Sequence, residues 1–397
     1  MRILTVHNHY RIRGGEDVCF EADTKMLRDR GHEVIHYTRH NDDVGRTSRW
    51  REARETLWSR HTYDEVTRLI KTQRPDVMHV HNTFPLISPS VYDAAHDQGL
   101  AVVQSLHNFR PLCVGAALCR DGQYCDTCLV NGSPWAGVRH RCYRDSLAAS
   151  AVSALLNRRN QRRNLWRRID RFITFCDAAR DLYIQGGFPA ERIELNPHYV
   201  EQEIEPREHT DRAFVFVGRL NREKGLDRLL QAWEQYRGDW KLRIIGEGPL
   251  AEAAQAQAAR DARIQFIGKV PRQECLGWMA SSSCLLFPSP AFETFGRVVI
   301  EAFSLGIPVI ASRLGGPRDI INSPLLGTLI EPTDVSAMSA ALSEAESWWD
   351  GFAERRAACR SRYLDAYTIE TNYEKLLRIY ESAIERRAGR RTREVFA

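Results

Sequence analysis

Residues 284–302 read CLLFPSPAFETFGRVVIEA, from Cys284 to Ala302. The apolar run 284–287 stops abruptly at Pro288, which is typical of a buried parallel strand. From Phe295 to Leu305 the pattern becomes that of a helix. A buried strand followed closely by a helix is the repeating unit of a parallel sheet. This stretch therefore predicts an α/β fold.

The start of the predicted helix is a candidate anion site. Backbone N–H groups around Phe295, Gly296 and Arg297 would attract a phosphate or a carboxylate, because the helix dipole is positive there. Glu293 and Glu301 are eight residues apart, or about 12 Å along a helix. Glycosidase carboxylates lie ~5–9.5 Å apart, so the two glutamates fit the ends of one ligand better than a hydrolytic pair. Taken singly, each glutamate is better explained as a solvated helix residue.

The alternation of strand and helix patterns continues through all 397 residues. Two domains are expected at this length. We predict doubly wound parallel sheets in residues 1–200 and 201–367, a linker at 196–212 and a final helix within 368–397. The predicted strands are 3–7, 34–37, 77–80, 101–106 and 172–175 in the first half, and 214–217, 242–245, 264–267, 284–287 and 309–311 in the second.

Ligands of such sheets bind at the carboxyl ends of the strands. In the second half these ends carry Gly218-Arg219, then Lys224, Gly246 and Lys269-Val270. Arg219 can grip a diphosphate bidentately and Lys224 can do so as a compact charge. Structural ion pairs are the alternative for both side chains.

In the first half the strand ends carry His–Asn pairs, including His107-Asn108. A histidine at a strand end is often a structural hydrogen-bonding residue, although several such ends at one edge favour a binding site. Gly14-Gly15 lies between the first strand and its helix, where backbone can approach a phosphate or a sugar. Two glycines taken alone also fit a plain turn.

The spacing of Glu293 and Glu301 in FETFGRVVIEA, with Gly218-Arg219-x4-Lys224-Gly225, resembles the signature of family 4 of the retaining nucleotide-sugar glycosyltransferases. The resemblance implies a GT-B fold, with two Rossmann-like domains facing a cleft, an acceptor-binding N-terminal domain and a donor-binding C-terminal domain. It implies that Glu293 contacts hydroxyls of the donor sugar and that Glu301 contacts the ribose. The family usually has an aliphatic residue at the position of Arg297.

The same resemblance assigns further positions. It places Gly14-Gly15 at the donor phosphates, His107 near the transferred sugar and Lys269-Val270 beside the nucleobase. It implies a hexosyltransferase that moves a sugar from a nucleoside-diphosphate sugar to a hydroxyl of a glycan or a lipid-linked acceptor, in bacterial surface or exopolysaccharide biosynthesis.

The expected chemistry needs no cofactor. Arg219, Lys224 and the helix start would oppose the negative charge that grows on the leaving diphosphate. No Asp-x-Asp motif stands where a metal-dependent transferase would need one. We found no convincing enzyme nucleophile, which favours attack on the same face of the sugar that the diphosphate leaves.

Half of the ten cysteines fall within residues 113–142, namely Cys113, Cys119, Cys125, Cys128 and Cys142. Structural disulfides are unusual in a reducing cytosol, and the Cys125-x2-Cys128 spacing suits a metal. Four of these thiolates could hold a structural zinc. The alternative is a reduced loop packed by small apolar thiols.

Positive charge is concentrated in residues 139–171, although the formal net charge is only +5. The basic residues there are Arg139, Arg141, Arg144, Arg158, Arg159, Arg162, Arg163, Arg167, Arg168 and Arg171. This arginine cluster predicts contact with an anionic membrane surface, and a solvated helix is the alternative. With no apolar run long enough to span a bilayer and no signal-peptide pattern, we expect a cytoplasmic protein that binds the inner face of the membrane.

Other functions are compatible with parts of this pattern. The arginine cluster alone would also suit a basic membrane-binding or nucleic-acid-binding protein, but no nucleic-acid recognition module is identifiable, and we expect no nucleic-acid partner. Another GT-B enzyme, such as a phosphorylase or a nucleotide-sugar epimerase, would share the fold. A pyridoxal-dependent phosphorylase needs a lysine for its cofactor, and none is identifiable.

Overall fold

The computed structural model describes residues 1–201, 205–207 and 211–395. The chain divides into two compact units. The first unit comprises residues 1–117, 126–196 and the chain from Asn372 onward, and the second comprises 118–125 and 197–371. The predicted linker 196–212 lies partly outside the described residues.

The first unit is built on a six-stranded sheet in the order β2-β1-β3-β4-β7-β8, with every pairing parallel. Strands such as β1 are buried along nearly their whole length, as expected for a sheet covered on both faces. The strands up to residue 196 are β1 Arg2–His9, β2 Glu33–His40, β3 Val77–Asn82, β4 Ala101–Ser105, β5 Cys119–Arg120, β6 Gln123–Tyr124, β7 Arg171–Thr174 and β8 Ile193–Leu195. The helices are α1 Gly15–Asp29, α2 Arg49–Leu57, α3 Arg60–Gln73, α4 Ser90–Asp97, α5 Thr127–Val130, α6 Trp135–Arg139, α7 Leu147–Arg162 and α8 Asp177–Gln185, with 3-10 turns at Asn41–Asp43, Leu165–Arg168 and Ala190–Arg192.

The second unit repeats this architecture with the order β11-β10-β9-β12-β13-β14, again entirely parallel. Its strands are β9 Ala213–Val217, β10 Lys241–Ile245, β11 Ile264–Gly268, β12 Cys284–Phe287, β13 Val309–Ser312 and β14 Gly327–Ile330. The helices after residue 212, of which the last crosses into the first unit at Asn372, are α9 Leu226–Gln235, α10 Ala251–Ala258, α11 Arg272–Ala280, α12 Arg297–Ser304, α13 Gly316–Ile320, α14 Val335–Glu346, α15 Phe352–Ala366 and α16 Ile369–Val395, with 3-10 turns at Arg222–Lys224 and Ser347–Gly351. Its core joins the sheet to α9 and α14 through Phe214, Trp233 and Leu342.

The doubly wound α/β prediction is confirmed, and every predicted strand is present. The sequence patterns missed β8 and β14, which are the edge strands on one side of each sheet. Neither contains a continuous apolar run, because β8 reads Ile-Glu-Leu and β14 reads Gly-Thr-Leu-Ile, and such runs are what marked the predicted strands. The sequence patterns also missed the antiparallel hairpin β5–β6.

Helix α16 belongs to the first unit from Asn372 onward. The Tyr380 hydroxyl lies 2.8 Å from His79 Nδ1 on β3, and the Tyr373 hydroxyl lies 2.8 Å from His32 Nε2. Tyr380 is fully buried. These contacts make the end of the chain part of the first unit's core. Among the described helices, none has the length and apolar content needed to cross a bilayer.

Candidate functional site

At the carboxyl edge of the second sheet, Lys224 and Glu293 form an ion pair. Lys224 ends the 3-10 turn after β9, which Asn221 caps by accepting from the Lys224 N–H at 3.0 Å. Lys224 Nζ lies 2.5 Å from Glu293 Oε1, and the two side chains are 34% and 19% exposed. Ser289 Oγ lies 2.8 Å from Glu293 Oε1 and 2.8 Å from the Glu223 carbonyl oxygen. A half-buried pair is thus held between two loops with part of its surface open.

Two glycines allow these loops to approach so closely. Gly225 has φ +75°, and a Cβ there would lie 2.1 Å from the Pro288 carbonyl oxygen. Gly315 has φ +68°, and a Cβ there would lie 2.1 Å from the Glu293 carbonyl oxygen. Only glycine readily adopts a left-handed backbone and has no side chain. The packing of the site therefore requires glycine at both positions.

Helix α12 begins just beyond Glu293, at Arg297 rather than at the predicted Phe295. Its N-cap is Gly296, with φ 95°, and this residue has no side chain with which to cap the helix. The amides of a helix start can donate to an anion. The Arg297 side chain lies 2.7 Å from Glu201 Oε1. In this structure, therefore, it binds a carboxylate near the start of segment 197–371 of the second unit.

Glu301 lies one turn into α12 and is buried, with 8% of its surface exposed. Its Oε1 lies 3.1 Å from a guanidinium nitrogen of Arg272, at the start of α11. Burial, followed by the nearby Glu301 charge, raises the pKa of Cys275 to about 11. Glu301 thus has a different cationic partner from Glu293. The sequence analysis missed Arg272 because nothing local in the sequence connects it to Glu301.

The other predicted residues of the second unit lie along the same sheet edge. Gly218 N–H donates to the Ile245 carbonyl oxygen at 3.1 Å, and Gly246 N–H donates to the Gly268 carbonyl oxygen at 2.9 Å, so the ends of β9, β10 and β11 are joined. Arg219 is exposed just beyond β9. Lys269 Nζ lies 2.5 Å from Glu247 Oε1 with both side chains about two-thirds exposed, a pair that contributes little stability. Val270 follows it and is half-buried.

In the first unit, Gly14 and Gly15 lie at the start of α1 and are shaped by a residue that the sequence analysis missed. Asp17 accepts hydrogen bonds from the Gly14 N–H at 2.8 Å and the Tyr10 N–H at 3.2 Å, and lies 2.9 Å from His7 Nε2. Burial raises the pKa of Asp17, but these hydrogen bonds outweigh burial and lower it overall. The N-cap-to-N3 spacing of Gly14 and Asp17 is the sequence signal that could have found this contact.

Gly15 itself faces open space. An added Cβ would meet no described atom within 4 Å. The structure therefore contains no packing reason for glycine at this position, whereas close approach by a ligand would be one.

His107 is buried, and its Nε2 lies 3.0 Å from His81 Nδ1. The next residue, Asn108, donates to Glu16 Oε1 at 2.5 Å, and the Tyr10 hydroxyl donates to Glu16 Oε2 at 3.0 Å. Burial raises the pKa of Glu16 despite these bonds. His107 is thus part of a polar network at the carboxyl edge of the first sheet, close to the Gly14–Gly15 loop.

The five loop cysteines are divided between the units. Cys119 and Cys125 belong to the second unit, and the other three belong to the first. Within the described first unit, Cys113, Cys128 and Cys142 do not form a group of ligand atoms within 4.8 Å of one another. The structural zinc stays a prediction.

Part of the arginine cluster has structural partners. Arg163 and Arg168 lie 3.2 and 2.6 Å from the oxygens of Asp93, and Arg171 lies 3.5 Å from Glu194. Asp93 is buried, so the first two arginines neutralise a charge inside the unit. The exposed basic residues of the cluster include Arg139, Arg141, Arg144, Arg162 and Arg167.

Two family models match the chain. One is described as "Glycosyl transferase 4-like domain" and matches residues 14–198, and the other is described as "Glycosyl transferases group 1" and matches residues 200–362. The chain is 30% identical over 190 residues to lipopolysaccharide 1,6-galactosyltransferase of Escherichia coli, covering 46% of this chain and 52% of that protein. It is 28% identical over 267 residues to GDP-mannose-dependent alpha-mannosyltransferase of Mycolicibacterium smegmatis, covering 66% and 64%. The chain thus spans about half to two thirds of the length of these relatives.

Solved structures share the fold over nearly the whole chain. Anabaena Alr3699/HepE in complex with UDP superposes with a TM-score of 0.68 at 16% identity, covering 96% of this chain and 100% of that one. Sucrose-phosphate synthase from Thermosynechococcus elongatus superposes with a TM-score of 0.70 at 15% identity, covering 96% and 98%. The resemblance first drawn from the Glu293 and Lys224 motifs is confirmed: this chain belongs to the family 4 glycosyltransferases and has the GT-B fold.

Proposed function

We propose that the chain is a retaining hexosyltransferase that moves a sugar from a nucleoside-diphosphate sugar to a hydroxyl of a glycan or a lipid-linked acceptor. The observation that carries the proposal is the Lys224–Glu293 ion pair at the carboxyl edge of the second sheet. Glu293 lies in the loop that leads into the start of α12, where Gly296 is the N-cap. A cation, a carboxylate and a helix N-terminus together suit a ligand with a diphosphate at one end and sugar hydroxyls at the other.

The proposed roles follow from charge. Departure of the diphosphate builds negative charge that Lys224, Arg219 and the α12 amides would stabilise. Glu293 is bound by Lys224 and Ser289, so it is held to accept hydrogen bonds from sugar hydroxyls. Glu301 would bind the ribose while Arg272 compensates its charge.

Retention would follow from attack on the face that the diphosphate leaves, with a phosphate oxygen taking the acceptor proton. His107 would help to position the sugar. We propose that the protein cations supply the charge stabilisation, so that a chelator such as EDTA leaves the rate unchanged. Chelator-sensitive turnover that a divalent ion restores would contradict this part of the proposal.

The named relatives include a galactosyltransferase and a GDP-mannose-dependent enzyme, and one solved neighbour holds UDP-glucose. These names support a nucleotide-sugar donor and a place in surface polysaccharide synthesis. UDP-galactose, UDP-glucose and GDP-mannose are the donors to test first.

The test is donor screening with mass-spectrometric detection of product, with a polysaccharide repeat unit or lipid-linked sugar as acceptor. We expect turnover of one donor and a loss of roughly 100-fold or more in Lys224→Ala and Glu293→Ala, since each removes a charged contact of the reacting group. Lys25→Ala is the matched control, because Lys25 also pairs with a carboxylate but on an exposed helix surface. Near-normal transfer in both site variants would refute the assignment.

We also propose that the arginine cluster binds an anionic membrane surface. Trp135, Leu147 and Leu155 lie within or beside it and are 49%, 55% and 45% exposed. Exposed apolar side chains among arginines suit an interface with lipid headgroups. We expect the protein to sediment with vesicles that contain phosphatidylglycerol and not with pure phosphatidylcholine vesicles, and expect Leu155→Ala with Arg162→Gln to weaken binding. Equal sedimentation with both vesicle types would count against the proposal.

A further inference from the structure

The strands β5 and β6 form a short hairpin within a segment that belongs to the second unit. Its two loop residues, Asp121 and Gly122, have φ 54° and 73°. Positive φ at both positions of an Asp-Gly loop is characteristic of the tight type I′ turn. The Cys125 N–H closes the base by donating to the Leu118 carbonyl oxygen at 2.8 Å. The hairpin is therefore a locally defined unit rather than an irregular loop.

This hairpin contacts both chain segments that hold the Lys224–Glu293 pair. At its tip, a Cβ on Gly122 would lie 3.6 Å from Arg222 Cβ, and Arg222 begins the 3-10 turn that ends at Lys224. On its second strand, the ring of Tyr124 lies 5.8 Å from the ring of Phe292, centroid to centroid. Phe292 immediately precedes Glu293.

The two segments depend on each other for their geometry. The Ser289 hydroxyl lies 2.8 Å from both the Glu223 carbonyl oxygen and Glu293 Oε1. Gly225 packs so closely against the Pro288 carbonyl oxygen that a Cβ would lie 2.1 Å from it. A small displacement of either loop therefore moves Lys224 relative to Glu293. A rigid hairpin packed against both loops limits such displacement.

We infer that this hairpin is a positioning element for the Lys224–Glu293 pair and that Tyr124 is its principal positioning residue. The inference rests on the proposed function. Tyr124 contacts the loop of Glu293 through Phe292, so it sets the place of the carboxylate, and through it the fit of the donor's sugar, whereas Lys224, which would bind the diphosphate, lies on the other loop. Tyr124 thus influences which sugar is transferred and how fast, more than how tightly the nucleotide binds.

The test compares Tyr124→Ala, Tyr124→Phe and Gly122→Val in the full chain. The donor is whichever of UDP-galactose, UDP-glucose and GDP-mannose the wild type uses. Since small misplacements of reacting groups are costly, Tyr124→Ala should lower kcat about 10-fold and reduce discrimination between sugars on the same nucleotide. Affinity for UDP or GDP alone should stay within about twofold. Tyr124→Phe keeps the ring and should match the wild type. Gly122→Val strains the turn, because its backbone has φ +73°, and should also lower kcat.

Three kinetic outcomes would overturn the inference: wild-type kcat and selectivity in Tyr124→Ala, an equal loss in Tyr124→Phe, or an equal loss of nucleotide affinity. Amide hydrogen exchange of residues 221–225 and 289–296 separates this inference from the proposed function, since it needs no donor. Faster exchange in Tyr124→Ala and wild-type exchange in Tyr124→Phe would support the positioning role. Unchanged exchange in both would refute it even if transfer activity is demonstrated.

Discussion

Glu293 is held through its side chain and its backbone at the same time. Its carboxylate meets Lys224 and Ser289, and its carbonyl oxygen accepts from the Gly316 N–H at 2.9 Å. Gly315 lies directly behind that carbonyl. The position of the carboxylate therefore depends on a neighbouring loop as well as on its own.

Gly315→Ala should displace Glu293. The new Cβ would lie 2.1 Å from the Glu293 carbonyl oxygen at a backbone φ of +68°, so the variant should lose at least about 2 kcal/mol of unfolding free energy through strain and most of its activity. Gly351→Ala is the control, because a Cβ there meets nothing within 4 Å. Chemical denaturation of the two variants checks the expectation. If Gly315→Ala and Gly351→Ala had equal unfolding free energies, the loops around Gly315 would be able to accommodate a Cβ without strain.

Most of the residues predicted from motifs lie at strand ends, where sequence patterns are informative. Their partners could not be predicted. Lys224 with Glu293 and Arg272 with Glu301 are pairs between distant segments, and no local pattern connects their members. Asp17 is the exception, because its spacing from Gly14 is a local signal.

Among the secondary-structure elements, β11 is preceded by a carboxylate, Asp261, that accepts several hydrogen bonds. Asp261 accepts from Arg263 Nη2 at 2.7 Å, from the Arg263 backbone N–H at 2.9 Å and from Trp233 Nε1 at 3.1 Å. The side-chain hydrogen bond from Arg263 is the main reason that the pKa of Asp261 falls to about 2. This cluster ties the start of β11 to α9.

Asp261→Ala should destabilise the protein by about 1–3 kcal/mol at pH 7, the usual cost of removing a charged hydrogen-bonding partner. Because the pKa of Asp261 is about 2 in the folded protein and near 3.8 in the unfolded chain, its contribution is complete above pH 3.8, and the difference between variant and wild type should shrink as the pH falls from about 4 towards 2. Urea denaturation at pH 7 and pH 3 measures both quantities. A difference independent of pH would exclude the charge as the cause.

The hairpin β5–β6 and helix α16 show where prediction of elements failed or succeeded. The helix has a long, regular pattern and was predicted from it. The Asp121-Gly122 turn signal is present in the sequence, but the contact of Tyr124 with Phe292 depends on a residue far away in the chain. Sequence reasoning assigned the whole segment 113–142 to the first domain, whereas residues 118–125 belong to the second unit.

At the scale of the whole molecule, the first unit contains a pH-sensitive core contact. Buried His79 lies between the Tyr380 hydroxyl of α16 and Ser105 Oγ of β4, each at 2.8 Å. Burial lowers the pKa of His79 to about 3. The ring is therefore neutral in the folded protein and becomes protonated near pH 6.5 only when the chain unfolds.

Stability should consequently fall as the pH drops below 6.5, since the unfolded state then binds a proton that the folded state excludes. Between pH 7.5 and 5.0 we expect a loss of about 2 kcal/mol from this histidine, measured by guanidinium denaturation. In His79→Gln the loss over the same range should be smaller. An identical pH dependence in variant and wild type would show that other groups are responsible.

The repeated architecture of the two sheets was predictable because buried parallel strands produce apolar runs at regular intervals. The site on each sheet edge was predictable only in outline. Residues at strand ends can be named from sequence, but the distances that make them a site depend on how separate loops pack.

Calorimetric titration of the wild type, Lys224→Ala and Glu293→Gln with the free nucleoside diphosphate and with the matching nucleotide-sugar tests the central claim most directly. If the second unit binds the donor through this pair, Lys224→Ala should weaken binding of both ligands about 10-fold or more. Glu293→Gln should weaken only the nucleotide-sugar. Wild-type affinity for both ligands in both variants would contradict the account.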